Sequence, residues 1–234
     1  YLESMDFSDY EVTRSDGVYE LPVPRDAAGG AYDLTGTDDG IIPLAFEDRV
    51  FRFFGKPYSE LYLSSNGYVL FVDAATLAMS AEALAARDTS TLAAHFALPR
   101  IALLFTDLAP HIGGAMWAKE LDDRIVITFE NVALKPKGPV ANPNRVTAQL
   151  ELFDSGHIRI TYLDAAITSG IVGLSDGRGV PEEPSTVYGN IRDGFYWVDF
   201  SGLGNAPSRM SLNPVDVQIE IGRASCRERV FRTV

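Results

Sequence analysis

The chain has 234 residues, of which 46% are hydrophobic, and it carries a formal net charge of −12. The apolar content is enough to bury a sizeable core, which excludes a disordered chain, and the acidic excess argues against binding to nucleic acid or anionic lipid. The sequence contains no apolar run of about 18 residues, so it predicts no membrane-spanning helix.

Both ends of the chain are predicted to lie outside the folded domain. Residues 1–16 are polar and acidic and are interpreted as an N-terminal extension of a processed or trimmed product, because the chain opens without an initiator methionine. Residues 221–230 read IGRASCRERV, which one frame of a common sequencing adapter encodes, so 221–234 are interpreted as an artefactual tail of a metagenomic gene. The one cysteine, Cys226, lies in this tail. A domain at 17–220 without cysteine is typical of bacterial exported proteins.

Three hairpins are predicted from alternating residues and short turns. Asn66-Gly67 suits the positive φ values of a type I′ turn, and residues 122–123 and 154–156 are the other two turns. The segment 145–152 alternates polar and apolar residues without a fault, which predicts a strand with one solvent-facing side. The predicted strand pairs are 61–64 with 68–71, 115–118 with 125–129, and 145–152 with 158–162.

The remaining elements complete an all-β pattern of about eleven strands. Residues 101–105 are apolar on both faces and predict a central strand covered on both sides. Other strands are predicted at 18–23, 40–46, 49–53, 170–174, 194–200 and 214–220, and one short helix at 80–87 behind the N-cap candidate Ser80. This pattern predicts a single antiparallel β-sandwich or jelly roll over 17–220.

The segment 51–71, FRFFGKPYSELYLSSNGYVLF, resembles the core signature of nidogen-like (NIDO-type) extracellular domains. Later pieces of that signature follow in the expected order, so the resemblance covers roughly residues 38–176. Leu104, Phe105 and Thr106 stand where the family has proline, tryptophan and an acidic residue, and the last change weakens any metal site there. The resemblance implies a secreted module, extracellular or on the cell surface, that binds a protein or a glycan and is not an enzyme.

Five aspartates are candidate calcium ligands: Asp38, Asp39, Asp107, Asp122 and Asp123. They are predicted in loops or at strand ends, and calcium prefers carboxylate and carbonyl oxygens from loops. Ordinary turn chemistry is the alternative, because aspartate favours turns. The same acids could instead form the carboxylate pair of a hydrolase that acts on an extracellular polymer. Apart from calcium, no cofactor is predicted.

Two aromatic residues are candidates for ligand binding. Phe195 and Trp197 share one face of the predicted strand 194–200, where they could form a platform for a sugar ring or a partner protein. The alternative is a strand covered on both faces. No sequence-local catalytic motif is present, since the chain lacks the nucleophile elbow, and its three histidines match no metal-binding spacing.

We therefore expect a non-catalytic binding or structural module. One alternative is a homo-oligomeric surface or filament subunit, in which residues 1–23 add a strand to the open sheet edge of a neighbour. The other alternative is the polymer hydrolase.

Overall fold

A computed structural model describes residues 9–18, 20–25, 32–35, 38–46, 49–73, 75–76, 90–136, 144–165, 170–180, 189–191, 195–199 and 208–215. Sixteen strands and one short helix are named among these residues. In chain order they are β1 (Asp9–Asp16), β2 (Tyr32–Asp33), β3 (Ile41–Ala45), β4 (Phe51–Phe53), β5 (Lys56–Tyr58), β6 (Glu60–Ser64), β7 (Tyr68–Leu70), α1 (Leu92–Phe96), β8 (Pro99–Phe105), β9 (Ala115–Leu121), β10 (Arg124–Ala133), β11 (Arg145–Phe153), β12 (Ile158–Ala165), β13 (Ile171–Asp176), β14 (Gly189–Ile191), β15 (Phe195–Asp199) and β16 (Ser208–Val215).

The strands form two large antiparallel sheets. The eight-stranded sheet has the order β14-β1-β16-β12-β11-β10-β9-β2, and the six-stranded sheet has the order β15-β13-β8-β7-β6-β3. Strands β4 and β5 make a separate two-stranded hairpin. The predicted all-β sandwich is therefore confirmed.

The main core lies between the two large sheets. Its cluster of buried side chains includes Leu103 of β8 and Leu150 of β11, and the Tyr162 hydroxyl of β12 donates to the Leu103 carbonyl oxygen. Strand β8 lies between β7 and β13, and six of its seven residues are buried, which confirms the predicted central strand. The segment 51–71, here called the family-like segment, contributes the stacked rings of Phe51, Phe53 and Phe71 to this core.

All three predicted hairpins are present, but the predicted solvent-facing side of 145–152 is wrong. On that side Gln149 and Glu151 of β11 are fully buried. The reason is a contact with the segment 20–25. The Val23 N–H donates to the Gln149 side-chain oxygen at 3.0 Å, and the Gln149 side-chain amide donates to the Val23 carbonyl oxygen at 2.8 Å. Glu151 forms ion pairs with Arg124 at 2.9 Å and with Arg159 at 3.3 Å. Alternation therefore located the strand but not the exposure of its polar side.

Two predicted boundaries near the N-terminus are wrong. Residues 9–16, expected in an extension, form β1, which pairs with β14 on one side and with β16 over eight residues on the other. The buried ring of Tyr10 joins the main core, which ties this polar-looking segment to the fold. The strand expected at 18–23 is absent, since the described residues 20–25 form bends and turns.

The other predicted elements agree with the structure only in part. β15 confirms the strand expected at 194–200. β16 covers the first two residues of the strand expected at 214–220, and residues 216–220 lie outside the described part of the chain. The helix expected at 80–87 lies outside the described residues. The structure instead has α1, which the sequence analysis missed; Thr91 caps it by accepting from the Ala94 N–H at 3.1 Å.

Candidate functional site

Asn66, in the turn between β6 and β7, organises three loops at one end of the sandwich. Its side chain is buried; its amide donates to Asp39 Oδ1 at 2.9 Å, and its amide oxygen accepts from the Leu108 N–H at 3.0 Å. The next residue, Gly67, has a φ of +78°, and a Cβ atom there would lie 2.1 Å from the Leu104 carbonyl oxygen. The turn is therefore packed tightly against β8, and one buried amide holds both the loop before β3 and the loop after β8.

Three of the five predicted calcium ligands converge on this end. Asp38, Asp39 and Asp107, here called the aspartate cluster, each place one carboxylate oxygen within 4.8 Å of the others. Asp39 has a φ of +54°, a left-handed conformation that aspartate tolerates better than most residues. Their side chains are 33%, 27% and 41% exposed, so solvent or a partner can reach all three.

Lys135, just after β10, supplies the cation for the aspartate cluster. Its Nζ lies 3.0 Å from Asp38, 3.5 Å from Asp39 and 3.7 Å from Asp107. Its backbone N–H donates to the Asp107 carbonyl oxygen at 3.0 Å, which fixes it beside the loop after β8. The hydrogen bond to Asp38, together with the charges of all three aspartates, raises the Lys135 pKa well above its usual range. His111 Nδ1 lies 3.9 Å from Asp38 at the margin of the group.

The other two predicted ligands lie elsewhere. Asp122 and Asp123 form the exposed turn between β9 and β10, and Asp123 pairs with Arg124 at 2.7 Å. Lys135 follows the far end of β10, a strand of ten residues, so the two groups of aspartates are about 30 Å apart along that strand. Asp122 and Asp123 therefore cannot share an ion with the aspartate cluster.

The donor set of the aspartate cluster fits calcium in type, since calcium takes six to eight oxygen ligands, largely from carboxylates and carbonyls. An ion among these three carboxylates would have to displace the Lys135 ammonium group, which already contacts each of them. Calcium binding stays a prediction for Asp38, Asp39 and Asp107.

The aromatic candidates are described only through their backbone. Phe195 and Trp197 lie in β15, in register with Ser175 and Gly173 of β13, and their side chains lie outside the described part of the structure. The aromatic platform therefore stays a prediction.

A buried arginine occupies the outer face of the six-stranded sheet. Arg100 of β8 is fully buried, and its guanidinium carbon lies 4.2 Å from the Tyr68 ring centroid and 4.8 Å from that of Phe105. None of its three guanidinium nitrogens has a hydrogen-bond acceptor among the described residues. Burial lowers the pKa of Arg100 to about 10. A desolvated cation–π contact contributes about 2 kcal/mol, whereas burying an ion costs several kcal/mol.

A cleft of about 260 Å³ opens beside the β4–β5 hairpin, at the family-like segment. Phe54 and Tyr58 line it together with Lys56, Asp176 and Arg178, and Arg178 pairs with Asp176. Burial and the Asp176 carboxylate raise the pKa of Tyr58, which keeps that phenol protonated. This cleft can admit a small polar group, but it contains none of the site residues predicted from the sequence.

The described sheet edge at β3 is protected against strand addition. The Gly40 carbonyl oxygen accepts from the Ser65 N–H at 2.9 Å, and the Phe46 N–H donates to the Ser59 carbonyl oxygen at 3.0 Å. The backbone polar groups of every second residue of β3 therefore point towards β6, and those of Pro43 point outward. An outward proline loses no ladder hydrogen bond and removes a donor that an added strand would use. The predicted donor segment is also engaged, because β1 lies between β14 and β16 of its own sheet.

Sequence reasoning missed the two residues that organise the site. Asn66 was assigned only to a turn, and Lys135 was not connected to the aspartates. The Asn66-Gly67 dipeptide accounts for the turn by itself, so nothing in the sequence distinguishes Asn66 from an ordinary turn asparagine. Only its burial shows that its amide needs hydrogen-bond partners beyond the turn. The sequence likewise offered no signal for Arg100, whose burial follows from β8 being central.

A comparison with protein families returns one described as NIDO related, whose model matches residues 9–189. No curated protein and no solved structure matches the chain. None of the helical segments that the structure describes is long and apolar enough to cross a membrane. The matched range includes β1 and continues to the first residue of β14, so it covers more than half of the chain. The chain belongs to the NIDO-related family.

Proposed function

We propose that this chain is a secreted, non-catalytic binding module whose contact surface is the aspartate cluster, and whose partner is an extracellular protein presenting lysine or arginine side chains. The observation that carries the proposal is a charged group fixed by buried contacts yet open to solvent. The buried Asn66 amide orients Asp39 directly, while the carboxylates of the cluster remain 27% to 41% exposed.

Such an arrangement suits recognition because little order has to be gained on binding. Binding residues are commonly carried on loops that a rigid scaffold positions, and a preorganised surface loses less conformational entropy than a mobile one. Here the scaffold is the β6–β7 turn, whose residues Ser64 to Gly67 are buried. The aspartate cluster can therefore meet a partner in the geometry it already has.

The balance of charge favours a basic partner. Three carboxylates face one ammonium group, that of Lys135, so the site keeps an excess of negative charge, and the whole chain carries −12. Complementary charge accelerates encounter and selects partners more than it adds affinity. An acidic glycan would be repelled by the same surface.

Two features support a non-catalytic role. A glycosidase needs two carboxyl groups about 5–10 Å apart around the bond to be cleaved. Of the five aspartates considered for that role, Asp122 and Asp123 lie at the opposite end of β10 from Asp107, and the three carboxylates of the aspartate cluster already contact Lys135.

The test compares two chemically identical substitutions at the two ends of the molecule. The full chain is titrated with an oligolysine peptide, and affinity is measured by calorimetry for wild type, Asp107→Asn and Asp122→Asn. We expect about tenfold weaker binding for Asp107→Asn and no change for Asp122→Asn, and salt should weaken the wild-type binding and reduce the difference made by Asp107→Asn. Equal losses in the two variants, or no binding by the wild type, would overturn the assignment.

A second measurement addresses the non-catalytic part. The wild type is incubated with a panel of extracellular polysaccharides, and released reducing ends are counted. Hydrolysis that disappears in Asp107→Asn but persists in Asp122→Asn would make the chain an enzyme. The filament alternative is judged by light scattering, where a mass that rises with concentration would support self-assembly.

A further inference from the structure

We infer that Arg100 binds a small monocarboxylate on the outer face of the six-stranded sheet. This face is covered by a second cluster of buried side chains that includes Tyr68 and Phe105, separate from the main core. Side chains of the α1 region, including Leu92 and Ala94, pack against the same cluster. A guanidinium group thus lies inside an apolar layer, where solvent does not reach it. This inference is independent of the proposed function.

The donors of Arg100 define what is missing. A guanidinium group offers five N–H donors and no acceptor, and buried donors in folded proteins are almost always paired. Tyr68 and Phe105 present ring faces at 4.2 Å and 4.8 Å, which attract the charge but take up few of the N–H groups. Among the described residues no acceptor lies within hydrogen-bond distance of Nε, Nη1 or Nη2. A bound anion would satisfy both the charge and the donors.

The hydroxyl group of Ser175 can donate a hydrogen bond to the same anion. Ser175 of β13 is the register partner of Arg100 and is 1% exposed. Its Oγ accepts from the Gly177 N–H at 3.1 Å, which leaves the hydroxyl proton for another acceptor. Directly opposite residues of neighbouring antiparallel strands lie on the same face of a sheet, so the hydroxyl and the guanidinium share this layer.

The shape of the donor group selects a carboxylate. The two oxygens of a carboxylate match the planar fork of arginine in a bidentate pair, whereas a halide meets it at a single point. The complete burial of Arg100 limits the ligand to a small molecule of the size of formate or acetate. Since the chain carries −12, its surface does not attract anions, and a dedicated buried cation is needed to bind one.

The primary test needs no variant. The full chain is dialysed into a zwitterionic buffer, and its melting temperature is followed while sodium acetate replaces sodium chloride at constant ionic strength. A ligand that binds only the folded chain raises the melting temperature along a saturating curve. We expect that curve with acetate. The same melting temperature at every ratio of acetate to chloride would overturn the carboxylate assignment.

Substitutions then locate the site. Arg100→Met removes the charge while keeping a long side chain, and it should abolish the acetate response; Arg178→Met, on the exposed surface, is the matched control that should retain it. Arg100→Lys keeps the charge without the fork and should weaken the apparent acetate affinity about tenfold. If the Arg100→Met chain melts at a higher temperature than wild type at saturating acetate, the proposal is overturned. Removing an unpaired buried charge stabilises a protein, whereas removing a charge that is paired with a bound ligand does not. If Arg100→Met fails to fold, the Arg100→Lys titration decides, and an undiminished acetate response there would also overturn it.

Discussion

Asn66→Ala is the substitution that best tests how the site is built. Asn66 is 1% exposed and joins three segments, because it donates to Asp39, accepts from the Leu108 N–H, and donates its own N–H to Ser64 Oγ at 3.1 Å. Alanine keeps the backbone bond and removes both side-chain bonds. The Thr106 N–H still donates to the Asn66 carbonyl oxygen at 3.2 Å, and the Ser65 N–H to that of Gly40 at 2.9 Å. The substitution therefore weakens the attachment of the two loops to the turn without altering any residue of the aspartate cluster.

The cost of Asn66→Ala follows from the two lost bonds. The Leu108 N–H is buried, so leaving it unpaired costs about 2 kcal/mol. The bond to Asp39 involves a charged but partly exposed group that water can solvate, so its loss costs about 1 kcal/mol. The sum of about 3 kcal/mol corresponds to a fall of about 6–12 °C in melting temperature for a domain of this size.

Urea and thermal unfolding of Asn66→Ala and wild type measure this cost. The urea midpoint should fall while the slope with denaturant is unchanged, because the surface exposed on unfolding is the same. Asn66→Asp divides the effect, since it keeps the acceptor for Leu108 but sets a carboxylate against Asp39, and it should be less stable at neutral than at acid pH. Ser155→Ala, in a turn where its hydroxyl makes only a 3.5 Å contact, is the control. An Asn66→Ala chain within about 0.5 kcal/mol of wild type would refute the organising role.

Gly67→Ala should destabilise the fold by more than about 4 kcal/mol, because the new Cβ meets the Leu104 carbonyl oxygen at a positive φ; a small fall in melting temperature would contradict this. Calcium should raise the melting temperature of Lys135→Met more than that of wild type, since the competing ammonium group is gone; equal responses would remove the aspartate cluster as a calcium site. Burial, aided by the Arg159 charge, lowers the His157 pKa from 6.5 to about 4. As pH falls, the unfolded chain therefore takes up the proton before the folded chain does, and the wild type loses stability between pH 6.5 and pH 4. His157→Phe should flatten that part of the profile, and parallel pH curves for the two proteins would count against it.

Local patterns predicted the strands well because a strand depends mainly on its own residues and its turn. Asn66-Gly67 located one hairpin, and the alternation at 145–152 located β11. The exposure of the polar side was not predictable, because residues 20–25 lie more than 100 positions away from the Gln149 side chain that binds Val23. β1 was missed for a related reason: its polar composition hides a strand that is stabilised by pairing on both sides.

The site was predictable in residue type but not in arrangement. Aspartates in loops were identified from their chemistry, and Asp38, Asp39 and Asp107 do come together. Asp122 and Asp123 have the same chemistry, yet the topology places them at the other end of β10. Distance in three dimensions is decided by strand order, and the strand order of a sandwich cannot be read from a list of strands.

The family-like segment explains why resemblance located the fold more securely than the ligand. Its aromatic residues Phe51, Phe53 and Phe71 fill the core, and its Asn66-Gly67 turn fixes the loops. None of these side chains contacts solvent to a useful extent, so the segment acts as scaffold and leaves partner choice to the residues that it positions. Substituting within the aspartate cluster should therefore change binding without changing the fold, whereas substituting Asn66 should change both.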